Sequence, residues 1–236
     1  MRLDVDISGK AFTNAAGKRS EVLRNIAFSL VQGEVAVFLG PSGCGKTTLV
    51  RILTGLDRDY QDRLSHPSPL RIGMVFQEPR LLPWRSVEDN VRLAAPDVDA
   101  ARLSSLFEVL ELSAHRAHFP GELSLGLARR VALARALAIE PDFLVLDEPL
   151  VSLDAALAAR LRAQIATLLD GRPIMTLLVT HSLEDAVRLG DRVFLLSARP
   201  ASILHVIPIA KPRSARSDAD IRETRHDLAR LCLTDG

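Results

Sequence analysis

The stretch that most constrains this chain is VAVFLGPSGCGKTT, residues 35–48. Its first five residues are apolar without alternation, the pattern of a strand buried on both faces. The residues after that strand fit G-x-x-x-x-G-K-[ST], with Gly40, Gly45, Lys46 and Thr47 in the defining places. The glycines let the backbone curl so that successive N–H groups point inward at phosphate oxygens. A helix predicted from about 46 to 55 adds the positive end of its dipole. Lys46 reaches the β- and γ-phosphates as a point charge, and the Thr47 hydroxyl ligates Mg²⁺. Pro41, Ser42, Gly43, Cys44 and Thr48 complete the cradle. Chance gives the four fixed positions in about one chain in a hundred of this length, and the flanking strand and helix make it rarer still. A glycine-rich turn that binds nothing is therefore set aside. Cys44 has two readings: a reactive thiol that bound nucleotide protects, or a small residue that fits the loop.

Strands and helices alternate along most of the chain, which predicts a mainly parallel sheet covered on both sides. Leu3, Val5 and Ile7 alternate with polar residues as in a half-buried strand. A second strand is predicted at 26–31 after the turn-like NAAGKRS, and RIGMVF (71–76) is another. From 86 to 139 the pattern is helical: SVEDNVRLAA opens on a serine with glutamate in its first turn, and ARLSSLFEVLEL and SLGLARRVALARALA come after it. Strands are predicted at 143–147, 174–180, 192–197 and over SILHVIPI, with helices at about 155–169 and 183–189. A last helix begins near Ser217, whose hydroxyl could cap it. The expected organisation is an α/β core with an antiparallel β edge (1–85 and 140–210), an inserted helical lobe (86–139), and a C-terminal connector and helix (211–236). KPRSARSD (211–218) reads as a solvated connector.

Composition bounds the partners. With 236 residues, the chain suits one large domain or a core with an inserted lobe. At 47% apolar it can build a sizeable core, and a net charge of +1 gives no argument for nucleic acid or an anionic lipid surface. Cys44 and Cys232 are far apart without metal-ligand spacing, which predicts a reducing compartment. The polar start MRLDVDISGK has no signal-peptide pattern, and no apolar run approaches the ~20 residues that span a bilayer. The expectation is a soluble chain that meets a membrane only from the side or through a partner.

Three apolar strands end on residues suited to phosphate chemistry. LVLDEP (144–149) places Asp147 and Glu148 at a strand's carboxyl end, where ligands collect in open parallel sheets. Asp147 suits Mg²⁺ held through water, and Glu148 suits orienting or deprotonating an attacking water. TLLVTH (176–181) places His181 where it can contact the γ-phosphate and fix the water. In MVFQEP, Gln77 can offer an amide oxygen to Mg²⁺ and report nucleotide state to the helical lobe. His115 and His118, three apart with no third ligand nearby, read as ordinary exposed histidines.

Taken in order, these segments resemble the ATP-binding subunits of ABC transporters over nearly the whole chain. GPSGCGKTT resembles the Walker A motif, Gln77 falls in the Q-loop, and LVLDEP resembles Walker B with its catalytic glutamate. Ser152, Leu153 and Asp154 match the D-loop and His181 the H-loop. Phe12 lies where the family stacks an aromatic on adenine; the alternative is a core aromatic. LSLGLARRVALARAL corresponds to the signature motif LSGGQ, so the resemblance implies head-to-tail dimers, homodimers or paired subunits, in which Ser124 and Gly126 face the γ-phosphate on the partner's P-loop. Leu125 and Leu127 depart from that motif. If position 125 requires a left-handed backbone, leucine costs ~1–2 kcal/mol there, and a degenerate, non-hydrolysing site is the alternative.

The finer resemblance, VFQEPRLLPWRSVEDNV (75–91), is to the branch serving nitrate, sulfonate, taurine and related importers. It implies an ATPase at the cytoplasmic side of the inner membrane, engaging an integral permease through residues 77–84 and a periplasmic solute-binding protein indirectly. Arg80, Leu81, Leu82, Pro83 and Trp84 are the contact candidates; for Trp84 a buried loop anchor is the other reading. The rivals are a soluble non-transport ABC ATPase, which usually has paired cassettes or basic surfaces, and a small-molecule kinase sharing only the P-loop.

Overall fold

The computed structural model describes residues 1–65 and 69–234, so the last two residues of the expected C-terminal segment lie outside the described residues. The chain forms two compact units, Met1–Pro69 with Met175–Gly236, and Leu70–Ile174.

The first unit begins with an antiparallel sheet. Strands β1 (Arg2–Thr13) and β2 (Arg19–Val31) pair around a turn in which Asn14 Oδ1 accepts from the N–H groups of Ala16 and Lys18 at 3.0 and 2.9 Å. Leu3, Val5 and Ile7 are buried, as their alternation predicts. Strand β2 begins well before residue 26, because RSEVLRN is held by backbone pairing to β1 rather than by an apolar pattern of its own. A third strand comes later in the chain, beyond β3 (Val35–Leu39) and helix α1 (Lys46–Leu53): β4 (Gln61–Ser65) pairs with the other edge of β1. Its sequence, QDRLS, has no strand period, so the sequence pattern does not reveal it.

Strand β3 and two later strands, β7 (Met175–Thr180) and β8 (Arg192–Leu196), run parallel in the order β7-β3-β8; β9 (Ile203–Pro208) closes that side antiparallel to β8. Every residue of β3 and β7 is buried. Phe28 of β2 packs edge-on against Phe38 of β3 at 5.0 Å between centroids, and Phe194 of β8 completes the trio at 5.4 and 5.3 Å. Helices α6 (Leu183–Leu189) and α7 (Asp218–Thr234) pack on one another.

The segment before α7 is exposed, as a solvated connector would be, at six of the eight residues of 211–218, but not at its two arginines. Arg213 and Arg216 turn inward: Arg213 Nη1 donates to Asp191 Oδ2 at 2.8 Å and to the Leu189 carbonyl at 3.3 Å, and Arg216 Nη1 donates to the Val187 carbonyl at 2.7 Å. Two guanidinium groups thus satisfy carbonyls at the end of α6, which no intrahelical donor reaches. Ser217 caps α7 as expected: its Oγ accepts from Asp220 N at 3.3 Å while Asp220 Oδ2 accepts from Ser217 N at 2.9 Å.

The second unit contains the parallel pair β5 (Ile72–Val75) and β6 (Phe143–Asp147) with helices α2 (Val87–Arg92), α3 (Ala100–Val109), α4 (Leu125–Ala138) and α5 (Ala155–Leu169). Each helix starts at a side-chain cap, Ser86, Asp99, Ser124 and Asp154 respectively. Helix α4 packs against α2, α3, α5 and β5, which explains why its apolar residues do not keep to one face. The mainly parallel α/β architecture with an antiparallel sheet is the class the sequence predicts. No helix among the described residues is long and apolar enough to cross a membrane.

Gly73 marks the closest approach of β5 to α4. A Cβ there would lie 2.4 Å from the Ala136 carbonyl oxygen and 3.1 Å from Pro141 Cβ, both fixed by backbone or ring. Gly73→Ala is therefore expected to destabilise the fold by about 1–3 kcal/mol, lowering Tm by roughly 2–10 °C. Gly121→Ala, which meets open space, should stay within about 0.5 kcal/mol of the parent in the same thermal unfolding experiment.

Candidate functional site

The first unit carries the glycine loop that the sequence predicts to cradle phosphate. Leu39 and Thr180 are register partners at the ends of β3 and β7, so the loop opening at Gly40 and the residue His181 leave the sheet side by side. Gly43 (φ +76°) and Gly45 (φ +136°) take backbone conformations closed to most side chains. At Gly45 a Cβ would also meet Leu23 Cδ2 and the Val22 carbonyl oxygen at 3.0 Å. Helix α1 starts at Lys46 with no side-chain cap on its first N–H groups. Lys46 is buried, and its ammonium arches over the loop, donating to the Gly40 and Pro41 carbonyls at 2.7 and 2.8 Å. Thr47 is exposed at the second position of α1, Thr48 is half-buried, and Pro41, Ser42 and Gly43 are exposed. Cys44 is 2% exposed, which favours the small-residue reading over a reactive thiol.

Exposed His181 lines, with Gly40 and Pro41, a cavity of about 430 Å³ whose other walls are mostly aliphatic. Phe12, at 47% exposure, is no core aromatic. Lys10 Nζ lies 4.9 Å from its ring centroid and is itself tied to Asp57 Oδ1 at 3.0 Å.

The second unit groups the remaining residues. Val75 and Leu146 are register partners, so β5 and β6 deliver Gln77 and the pair Asp147 and Glu148 at the same end. Gln77 is exposed two residues past β5, and Asp147 is buried as the last residue of β6. Glu148 and Ser152 both have left-handed backbones, φ +46° and +62°. For non-glycine residues this costs about 1–2 kcal/mol each and persists only where the surroundings enforce it. Asp154 is engaged as the cap of α5, its Oδ1 accepting from Leu157 N at 3.0 Å.

Ser124 is the exposed cap of α4; its Oγ accepts from Leu127 N at 3.3 Å, so the hydroxyl hydrogen remains to be donated outward. Leu125 is the first helical residue of α4, outside the left-handed region, so the leucine carries no backbone penalty, and its side chain is 44% exposed. Gly126 is buried against α5: a Cβ there would lie 2.6 Å from Leu157 Cδ2.

Three residues that the sequence pattern did not single out hold these loops. Arg129 of α4 donates from Nη1 to the Glu148 and Pro149 carbonyls at 3.1 and 2.6 Å. Burial draws its guanidinium below the ordinary value. Arg135 reaches the Arg80 and Pro79 carbonyls at 2.8 and 2.9 Å, and the Arg80 guanidinium stacks 4.3 Å from the Phe76 ring centroid. Asn90, fully buried, accepts from Leu82 N at 2.7 Å and donates to the carbonyls of Leu82, Arg85 and Ser86 at 2.9–3.1 Å. The loop these residues brace presents Trp84 at 70% exposure, which rules out the buried-anchor reading. The available signal was an arginine amid small apolar residues at helical spacing, a cation that must find acceptors if the helix is buried. His115 and His118 are half-buried rather than exposed, with rings 5.0 Å apart. No cluster of three or more potential metal ligands among His, Cys, Asp and Glu occurs among the described residues.

The ABC transporter family model matches residues 23–151. The chain is 39% identical to the aliphatic sulfonates import ATP-binding protein SsuB 2 of Pseudomonas syringae pv. tomato, covering 91% of each chain. It is 37% identical to the aliphatic sulfonates import ATP-binding protein SsuB of Bacillus subtilis, over 95% of this chain and 92% of that one. Among solved structures, a dimeric post-hydrolysis state of the ATP-binding cassette MJ0796 bound to ADP and Pi superposes with a TM-score of 0.77 at 23% identity, covering 90% of this chain and all of that one. That likeness shows the fold.

Trp84 is the sole tryptophan, so the brace on its loop is directly measurable. Asn90→Ala strands the Leu82 N–H and removes the donor to three carbonyls. It should cost about 1–3 kcal/mol and lower Trp84 fluorescence anisotropy. Unchanged anisotropy would show that the amide does not order the loop.

Proposed function

The chain belongs to the ABC transporter family, and from that premise we propose that it is the ATP-binding and ATP-hydrolysing subunit of an importer for a small organic or inorganic anion. Sulfonates are the solute class to test first, because relatives at 37–39% identity over most of the chain are named for aliphatic sulfonate import. The observation that carries the ATPase reading is the cradle: glycines at φ +76° and +136°, an uncapped helix start and a lysine folded across the loop. Such a constellation suits a polyphosphate.

In this reading Lys46 and the loop amides hold the phosphates, and Phe12 stacks on the base. Gln77, Thr47 and Asp147 offer an amide oxygen, a hydroxyl and a carboxylate, a hard-oxygen donor set that fits Mg²⁺. When bound, Mg²⁺ neutralises and orients the phosphate oxygens. Glu148 accepts a proton from the attacking water or orients it, and His181 fixes that water's position. Catalysis is positioning and charge stabilisation rather than covalent chemistry.

Two copies, or this subunit with a paired one, close head to tail so that Ser124, Gly126 and the start of α4 serve the nucleotide held by the partner's loop. Leu125 leaves this use intact because the anion is met by backbone N–H groups and the Ser124 hydroxyl. The D-loop residues Ser152, Leu153 and Asp154 lie in the same interface. Exposed Trp84, with Arg80, Leu81, Leu82 and Pro83, grips a separate permease, which places the subunit at the cytoplasmic face of the membrane. A solute-binding protein acts through that permease. Nucleic acid has no role in this reading, since the net charge is +1.

Purified wild-type protein should hydrolyse ATP. Glu148→Gln should lower kcat by about 10²–10⁴-fold while producing an ATP-dependent dimer in light scattering, and Leu125→Gly should leave turnover within about threefold, the effect of less than 1 kcal/mol. A Glu148→Gln protein that hydrolyses ATP at the wild-type rate and stays monomeric would return the chain to the P-loop kinase class. Uptake assays with the cognate permease and a panel of sulfonates, nitrate and taurine identify the solute.

A further inference from the structure

Glu148 stands in a turn that ought not to hold itself. Its backbone is left-handed at φ +46° although the next residue is Pro149, and a residue before proline ordinarily takes extended backbone. Within the turn, Val151 N reaches the Glu148 carbonyl only at 3.3 Å. The short bonds come from Arg129, whose Nη1 donates to the Pro149 carbonyl at 2.6 Å and to the Glu148 carbonyl at 3.1 Å. Arg129 is 5% exposed, and no carboxylate pairs with it among the described residues. Neighbouring Arg130 differs, with Nη1 2.7 Å from Glu111 Oε2. A cation taken out of water without an ion partner is costly, and this one faces two carbonyl dipoles of a single turn. Helix α4 also begins at Ser124, so the same rigid element carries the outward-facing hydroxyl and the clamp on Glu148.

We propose that Arg129 is a positioning residue for ATP hydrolysis: it locks the Glu148–Pro149 turn in its strained form, aims the Glu148 carboxylate, and fastens it to the helix that carries Ser124. This rests on the ATPase reading above. Arg129 donates to backbone carbonyls; its effect on the reaction passes through Glu148. Because Ser124 serves the partner's nucleotide and Glu148 its own, the clamp also gives the two sites of a dimer a common mechanical element.

The test compares Arg129→Met, Arg129→Lys, Arg130→Met and Glu148→Gln with wild type, measuring kcat and KM for Mg-ATP, nucleotide affinity and Tm on the full chain. Arg129→Met, which keeps the length of the side chain and removes its donors, should lower kcat about 10–100-fold, the scale of a misaimed catalytic group. KM and the affinity for a fluorescent ATP analogue should stay within about twofold, since the cradle is untouched. Arg129→Lys, which restores a donor, should recover a substantial part of the rate. Arg130→Met should lower Tm without the same loss of kcat. The inference is overturned if Arg129→Met turns over within twofold of wild type. It is also overturned if its loss of kcat is matched by Arg130→Met at equal loss of Tm, which would make Arg129 a packing residue. If wild type itself does not hydrolyse ATP, or Glu148→Gln is as fast as wild type, the ATPase reading fails first and the inference with it.

Discussion

The guanidinium groups of helix α4 fix the second unit's functional loops. The helix is packed against three helices and a strand, so cations on it lose much of their contact with water and turn to acceptors on neighbouring loops. Loop carbonyls are the acceptors at hand, since loops have backbone groups that no ladder satisfies. Arg129 takes those of Glu148 and Pro149; Arg135 takes those of Pro79 and Arg80. The same economy appears in the first unit, where Arg213 and Arg216 satisfy the carbonyls at the end of α6. In each case a guanidinium meets backbone carbonyls, and in the first unit the Asp191 carboxylate joins them.

Left-handed backbone occurs where the chemistry is proposed, as it does at Asn25, Arg80, Glu111 and Glu140. Gly43 and Gly45 relieve its strain in the phosphate loop by having no side chain, while Glu148 and Ser152 bear it as ordinary residues. A glycine at 148 would remove the strain and the carboxylate together, so the surroundings supply the restraint instead. Lys46 illustrates the complementary device: its ammonium is held by the loop's own carbonyls, at the place where phosphate oxygens are expected to compete for it.

Where an element was legible in the sequence, its signal was local. FLVLD and the helix over 155–169 appear in the structure with the bounds read from their apolar runs and caps. The phosphate loop was legible because its glycine spacing is dictated by backbone geometry within a few residues. Strand β4, the early start of β2 and the inward turn of Arg213 and Arg216 were not legible. QDRLS and RSEVLRN have no period of their own and become strands through hydrogen bonds to β1, and the two arginines look like a solvated run until α6 stands beside them.

Spacing along the chain is enough to state the α/β class, the glycine-rich loop before α1, and the order of residues that matches the ABC transporter family. Packing between distant segments puts Leu125 in a helix rather than a left-handed turn, exposes Phe12 and Trp84, and buries Cys44. The same packing sets the clamps made by Asn90, Arg129 and Arg135. Whether a side chain meets solvent or a carbonyl depends on which distant segments pack around it, and no short-range pattern records that.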